Sequence, residues 1–281
     1  MRKTEKVVSQ FGFQTRKSLG QNFLVDERVL EQIVELAEIG PDDCVLEIGP
    51  GPGSLTKYLV EKAKKVFAIE FDDELAAILK NEVRSEKLEV ISADVLEYNF
   101  NDIGWLGNKL KVVSNLPYNI STEVVFKLLE TPGVFSELYL MLQQEVAKRI
   151  ASKPGNKQYG ILSVVCQYHS DPEIILDLGP EVFKPRPKVN SSLVRFRILD
   201  QPRSPVSDYR EFKKVVRACF SMRRKMLKNS FGKSGLGLAP ETMDGLLAKA
   251  GIDPTARAET VSLEKLVKLA NLFVDEKMKN A

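Results

Sequence analysis

Val45-Leu46-Glu47-Ile48-Gly49-Pro50-Gly51-Pro52-Gly53-Ser54-Leu55-Thr56 is an apolar strand that runs into a glycine-rich turn and then a helix. Glycine tolerates positive φ and lets a ligand approach the backbone. In a doubly wound sheet such a turn lies at the carboxyl edge, where ligands bind. A dinucleotide fingerprint, Gly-x-Gly-x-x-Gly counted from Gly49, would place its third glycine at position 54, where the chain has Ser54. The pattern present is Glu-x-Gly-x-Gly-x-Gly, beginning at Glu47.

Outward from this turn, short apolar runs alternate with helical periodicity. Strands are expected at Cys44–Ile48, Val66–Glu70, Leu88–Ser92, Lys111–Ser114, Leu138–Leu142, Glu173–Asp177 and Leu193–Ile198. Helices are expected at Glu27–Ala37, Ser54–Glu61, Asp73–Val83, Thr122–Glu130 and Gln144–Ala151. That alternation predicts an α/β fold with a mostly parallel, doubly wound sheet. Leu199–Ser207 holds two prolines and mostly polar residues, which marks a boundary. Beyond it the pattern is helical throughout: Tyr209–Phe220, Met222–Phe231, Pro240–Ala250 and Ser262–Lys277. Two domains follow, 1–200 and a small all-helical 206–281.

Three further strand tips carry polar groups. Glu70 closes the second strand, where a carboxylate can accept both hydroxyls of a ribose. It also fits as a helix N-terminal charge, although Asp72 and Asp73 suit that role better. Asp94 follows the third strand, where it can accept a bond from an adenine amine or serve as a turn residue. The fourth tip is Ser114-Asn115-Leu116-Pro117-Tyr118. Pro117 fixes its own φ and pushes Leu116 out of the α region. An amide, a backbone carbonyl and an aromatic face then fall within four residues. The two oxygens can accept both N–H bonds of an exocyclic amine, and the ring can stack on the base. A tight strand-to-helix connection would use similar residues.

Composition excludes several classes. The 281 residues are 43% hydrophobic and 28% charged, as in ordinary globular proteins. No apolar run reaches the length of a membrane span. Met1–Ser9 is basic and polar and does not read as a secretory signal. Cys44, Cys166 and Cys219 are dispersed among apolar neighbours, which predicts reduced, buried thiols in a cytoplasmic protein. His169 is the single histidine, so a histidine-based triad or a zinc site is not expected, nor any metal. Net charge is only +3, but Lys184–Lys233 carries 15 Lys or Arg against Asp200, Asp208 and Glu211. A basic block on an otherwise acidic chain is the sequence footprint of a polyanion-binding surface.

The glycine-rich turn resembles motif I of the class I S-adenosylmethionine methyltransferases. With the other motifs in order, the chain from about Phe13 to Phe273 resembles the bacterial 16S rRNA adenine dimethyltransferases, within the rRNA adenine N6-dimethylase family. The resemblance rests on Lys17-Ser18-Leu19-Gly20-Gln21-Asn22-Phe23-Leu24, Glu47–Thr56, Glu70, Asp94, Asn115–Tyr118 and Val182-Phe183-Lys184-Pro185-Arg186-Pro187-Lys188-Val189-Asn190-Ser191. It implies a Rossmann-like class I methyltransferase sheet in 1–200 and an rRNA-binding helical domain in 206–281. It implies S-adenosyl-L-methionine held by Asn22, Leu24, Gly49, Gly51, Glu70, Asp94 and Asn115. Asn115, Leu116, Pro117 and Tyr118 would form the catalytic turn, with Tyr118 and Phe183 sandwiching the adenine. The RNA would meet Lys184, Arg186, Lys188, Arg223, Arg224, Lys225 and Lys228.

The implied reaction gives N6,N6-dimethyladenosine at two adjacent adenines of a small-subunit rRNA hairpin. The implied partner is 16S rRNA in an immature small subunit, with the enzyme acting as a monomer. Phe220-Ser221-Met222-Arg223-Arg224-Lys225-Met226-Leu227-Lys228-Asn229 resembles the small-subunit enzymes, with Met226 where threonine is frequent. Two rivals stand beside this. One is a large-subunit rRNA adenine methyltransferase conferring antibiotic resistance; the other is a non-catalytic RNA-binding assembly factor. Intact Glu70, Asp94, Asn115 and Tyr118 argue against the second.

Overall fold

The computed structural model describes residues 22–105, 107–222, 224–232 and 234–279. The chain divides into two compact units, 1–147 with 172–198, and 148–171 with 199–281. One division follows Ile198, just ahead of the proline-bearing Leu199–Ser207. The segment 148–171 departs from expectation, because it clusters with the second unit instead of the first. Its helix Ile161–His169 had no place in the sequence pattern. Six of that helix's nine residues are buried, so it lacks the polar face by which an amphipathic helix is recognised.

The strands in chain order are β1 (Phe23–Leu24), β2 (Cys44–Ile48), β3 (Lys65–Glu70), β4 (Leu88–Ser92), β5 (Leu110–Asn115), β6 (Phe135–Gln143), β7 (Ser170–Leu178), β8 (Phe183–Lys184) and β9 (Ser191–Ile198). The first unit is built on a seven-stranded sheet in the order β4-β3-β2-β5-β6-β9-β7. Pairings from β4 through β6 are parallel, and β6 with β9 is antiparallel. A separate two-stranded ladder joins β1 to β8. The strand order reverses at β2: β3 follows on one side and β5 lies on the other. That is a topological switch point, and the crevice beyond the strand ends there is where such sheets bind ligands.

Sequence explains these elements locally. β2 is buried at all five positions, as a central parallel strand covered on both faces should be. Asp26 caps the helix Glu27–Leu36 by accepting from the Arg28 N–H. Asp72 caps Asp73–Glu82 by accepting from Glu74 and Leu75. Both satisfy backbone donors that the first helical turn leaves without partners.

In the second unit, Phe212, Val216, Leu246, Leu266 and Phe273 centre an apolar core. The helices Tyr209–Phe220, Pro240–Lys249 and Leu263–Lys279 lie close to expectation. The expected helix Met222–Phe231 begins only at Leu227. The preceding helix closes when the Ser221 N–H and Oγ both donate to the Ala218 carbonyl, and Lys225 N–H turns back to Met222. Arg224 and Lys225 therefore stand exposed in a turn, and only Lys228 is helical. Arg223 lies outside the described residues.

One polar group is buried within β2 itself. Glu47 is 2% exposed and accepts a 2.6 Å hydrogen bond from the Thr56 hydroxyl. Burial pushes its carboxyl up to about 8, with the Glu70 carboxylate adding to the rise and the Thr56 bond opposing it. The folded chain thus keeps a proton that the unfolded chain releases above about pH 4.5. Stability from this group is complete below that pH and is lost as pH rises through about 8. Glu47→Gln keeps an acceptor for Thr56 and removes the titration. The stability difference between wild type and variant, from urea melts across pH 4 to 9, is expected to shift steadily in favour of the variant as pH rises.

Candidate active site

The tips of β2 and β5 are fastened to each other. Ile48 N–H donates to the buried Ser114 Oγ at 2.8 Å, and Gly49 N–H donates to the Ile69 carbonyl of β3 at 2.9 Å. The glycine turn, Glu70 and Asn115 consequently emerge at one edge of the sheet.

The turn is shaped by close approach. Gly51 has φ +56°, and a Cβ there would fall 2.5 Å from the Phe23 ring. Gly53 has φ +88°, and its Cβ would fall 2.6 Å from Leu79 Cδ1. A side chain at either position would meet both backbone strain and a clash. Glu70 holds the turn from the next strand. Its Oε2 accepts from Gly51 N–H at 3.0 Å and its Oε1 from Asp72 N–H at 3.1 Å. Burial raises its pKa, opposed by those backbone donors. A carboxylate has four lone-pair sites, so these two bonds leave capacity for ligand hydroxyls.

Gly49, Gly51, Glu70, Asp94 and Pro117 line one open cleft. Asp94 Oδ1 accepts from Leu96 N–H at 2.8 Å, so the acid does serve as a turn residue, with further acceptor capacity remaining.

Three features in and around the cleft escaped the sequence. Phe71, directly after Glu70, lines the cleft with 62% of its surface exposed. The Glu-Phe pair at a strand tip was the available signal. Phe23 reaches the cleft from β1. Lys127, on the helix Ser121–Leu129, donates to the Leu96 carbonyl at 2.5 Å and braces the Asp94 loop. Nothing in the spacing of Lys127 and Asp94 announces that contact.

The amide of Asn115 is oriented by its surroundings. Nδ2 donates to the Asn22 carbonyl at 2.8 Å. A carbonyl only accepts, which fixes the amide nitrogen on that side and turns the oxygen away. Oδ1 is buried without a hydrogen-bond partner. A buried acceptor left in this state costs roughly 1–3 kcal/mol, so such groups mark places where a donor arrives. Tyr118 is half-buried, and its hydroxyl meets Ser191 Oγ at 2.5 Å. Burial raises the phenol pKa, so the hydroxyl stays protonated.

The other expected site residues are distributed as follows. Asn22 meets Asn115 through its main chain, and the residues 17–21 lie outside the described part. Leu24 is buried in the core beside the sheet and does not line the cleft. Leu116 is buried beside Pro117. Phe183 corrects an expectation. It is 2% exposed, pairs with Leu24 and packs in the same core, so its ring presents no open face for a base. Prolines on either side do not keep it at the surface, because burying a phenyl ring is worth more than the loop's polar character. Lys184, Arg186 and Lys188 are exposed in the first unit; Arg224, Lys225 and Lys228 are exposed in the second. Among the described residues no cluster of His, Cys, Asp and Glu is arranged to hold a metal. All three cysteines are free and buried.

A glycine turn and strand-tip acids at the switch point, with an antiparallel strand beside the last parallel one, place the chain among the class I methyltransferases. The family described as ribosomal RNA adenine dimethylase matches residues 12–275. The chain is 42% identical over 273 residues to a ribosomal RNA small subunit methyltransferase A of Clostridium botulinum strain Okra, covering 97% of this chain and 98% of that protein. It is 43% identical over 266 residues to the protein of that name in Geobacter metallireducens, covering 94% and 97%. Among solved structures, the 23S rRNA methyltransferase ErmE is 26% identical with a TM-score of 0.68, covering 90% of this chain and all of that one. A Plasmodium falciparum dimethyladenosine transferase, 24% identical, shares the fold with a TM-score of 0.73 over 91% and 97% of the two chains. This chain belongs to the ribosomal RNA adenine dimethylase family.

S-adenosyl-L-methionine, the cofactor of that family, fits the residues present. Glu70 and Asp94 retain acceptor capacity, and the cleft walls are apolar at Ile48, Ile69 and Val95. Glu70→Ala is expected to weaken cofactor binding far more than turnover at saturating cofactor. Contacts equal in ground and transition states affect binding alone, and the loss also releases the Gly51 N–H. Calorimetric titration alongside saturating-cofactor turnover checks this; unchanged affinity would remove Glu70 from the site.

Proposed function

We propose that the enzyme transfers methyl groups from S-adenosyl-L-methionine to the N6 amines of two adjacent adenines in a small-subunit (16S) rRNA hairpin, yielding N6,N6-dimethyladenosine. One observation carries the chemistry: the buried, partnerless Oδ1 of Asn115 at a turn beside the cofactor cleft.

The cofactor, when bound, supplies a methyl group on a sulfonium that needs no further activation. The difficulty lies with the acceptor, whose amine lone pair is delocalised into the purine ring. Asn115 Oδ1 and the Leu116 carbonyl accept its two N–H bonds. They favour a more pyramidal nitrogen and stabilise the positive charge that grows there during attack. The Asn22 carbonyl keeps the amide in that sense. Pro117 fixes the turn, and Tyr118 offers the ring on which a base taken out of its stack can rest. No side-chain base is required, because the alkylated amine is acidic enough to lose its proton. Positioning supplies much of the remaining acceleration.

The small-subunit assignment is supported by 42% identity over nearly the whole chain to enzymes of that name, against 26% to the large-subunit enzyme. An immature small subunit is the proposed particle, met in the cytoplasm by a single chain. Every proposed catalytic group lies in the first unit. Exposed cations in both units neutralise phosphates and give affinity without reading sequence, while the Asn115 turn selects adenine. Methyl transfer from labelled cofactor to unmethylated small and large subunits, followed by nucleoside analysis, tests the assignment. Dimethyladenosine in the large subunit alone would overturn it.

Asn115→Ala removes one acceptor where charge develops. A fall in turnover of ~10²-fold or more is expected by analogy with single losses in other such sites, with the fold retained. Near-wild-type turnover in a folded variant excludes the role. Arg224→Glu with Lys225→Glu is expected to weaken particle binding and flatten its dependence on salt, leaving cofactor affinity unchanged. Filter binding across a salt series, with a cofactor titration as control, measures both.

A further inference from the structure

Two adjacent serines, Ser191 and Ser192, open β9 and are equivalent in sequence. A strand sends neighbouring side chains to opposite faces, and here the two go to different partners. Ser192 Oγ donates to Asp177 at 2.5 Å. Ser191 Oγ meets the Tyr118 hydroxyl at 2.5 Å across 73 residues of sequence. Ser191 is fully buried. Its backbone is held on both sides: it pairs with Gln143 of β6, and the preceding Asn190 carbonyl accepts from Gln144 N–H at 2.9 Å. The hydroxyl is therefore mounted on a rigid element, while Tyr118 sits in a turn between Pro117 and the helix that starts at Ser121.

We propose that Ser191 is a positioning residue for methyl transfer, holding the phenol of Tyr118 so that its ring stands ready to stack on the target adenine; this rests on Tyr118 being the stacking ring. A Tyr ring swings about χ1, and in a half-exposed turn several rotamers compete. A hydrogen bond at the far end of the ring removes that swing. Hydrogen bonds at a phenolic oxygen prefer the plane of its ring, whichever hydroxyl donates, so a fixed partner biases the ring's tilt. Side chains that must be correct to within ~0.5 Å are set by such supporting contacts. Phe183 is buried in the core, which makes the orientation of the Tyr118 ring more consequential. Ser191 also ends the exposed segment carrying Lys184, Arg186 and Lys188, so the tether joins the target turn to a cationic loop.

A bond that serves only to satisfy two buried hydroxyls would affect stability and leave turnover alone. Ser191→Ala, Tyr118→Phe, the double variant and Tyr118→Ala separate the cases, assayed on unmethylated small subunits. Ser191→Ala and Tyr118→Phe are each expected to lower turnover at saturating cofactor by roughly three- to tenfold, the weight of one neutral hydrogen bond. The double variant should lose no more than the worse single one, because both delete the same bond. Calorimetric cofactor affinity should be unchanged in all. Wild-type turnover in Tyr118→Phe, or additive losses in the double variant, overturns the positioning role. If Tyr118→Ala is inactive at the same time, the stacking role of Tyr118 survives. Wild-type turnover in Tyr118→Ala removes the stacking role and the positioning role together. Should Ser191→Ala fail to fold, Tyr118→Phe still tests the same bond from its other end.

Discussion

Parallel pairing of Cys44–Ile48 with Leu110–Asn115 is the constraint on which the site depends. Both strands are buried, so their register is set by apolar packing and is hard to slip. Once Val45 faces Lys111 and Leu46 faces Val112, Ile48 and Ser114 come level, and the 2.8 Å bond between them fixes the two tips. The glycine turn leaves one strand, and the Asn115 turn, proposed to take the adenine, leaves the other. A methyl donor and a methyl acceptor must meet within bonding distance, and neighbouring strand ends at a switch point provide that proximity without any long loop.

Around that pairing the site carries several polar groups that the fold does not fully satisfy. Glu47 lies beneath the turn with a carboxyl pushed up to about 8. Glu70 is buried and shared between the turn and the cleft. Asn115 commits its nitrogen and leaves its oxygen without a donor. Each is a local cost that a tightly packed core would avoid, and they concentrate where a ligand carrying hydroxyl and amine donors would be received. Crowding at the same place explains the glycines: at Gly51 the space for a side chain is already occupied by Phe23.

In the second unit the core and the cations proposed to meet RNA separate cleanly. Its core draws on Phe212, Val216, Leu246, Leu266 and Phe273, while Arg224, Lys225 and Lys228 are exposed. Arg224 and Lys225 lie exposed ahead of the helix that starts at Leu227. Phosphate neutralisation needs charge density more than fixed geometry, so this arrangement suits a sequence-independent contact.

Strand and helix periodicity and the glycine run made the sheet and the positive-φ turn at its edge legible from the residues alone, because those signals are local. Asn-Leu-Pro-Tyr likewise announced a rigid turn with an amide and a ring. What tertiary structure decided depends on residues far apart in the chain. Phe183 looked like a loop aromatic, but pairing with Leu24 draws it into the core. The helix Ile161–His169, buried over most of its surface, shows no amphipathic stripe and belongs to a unit that begins again near residue 199. Glu70 serves the backbone of Gly51 as well as the cleft, and Lys127 holds the Asp94 loop from a helix 31 residues away. The sense of the Asn115 amide rests on a carbonyl 93 residues earlier, and the Tyr118 hydroxyl on a serine 73 residues later. Such contacts have no signature in spacing, since a hydrogen bond between distant residues is specified only when the sheet brings them together.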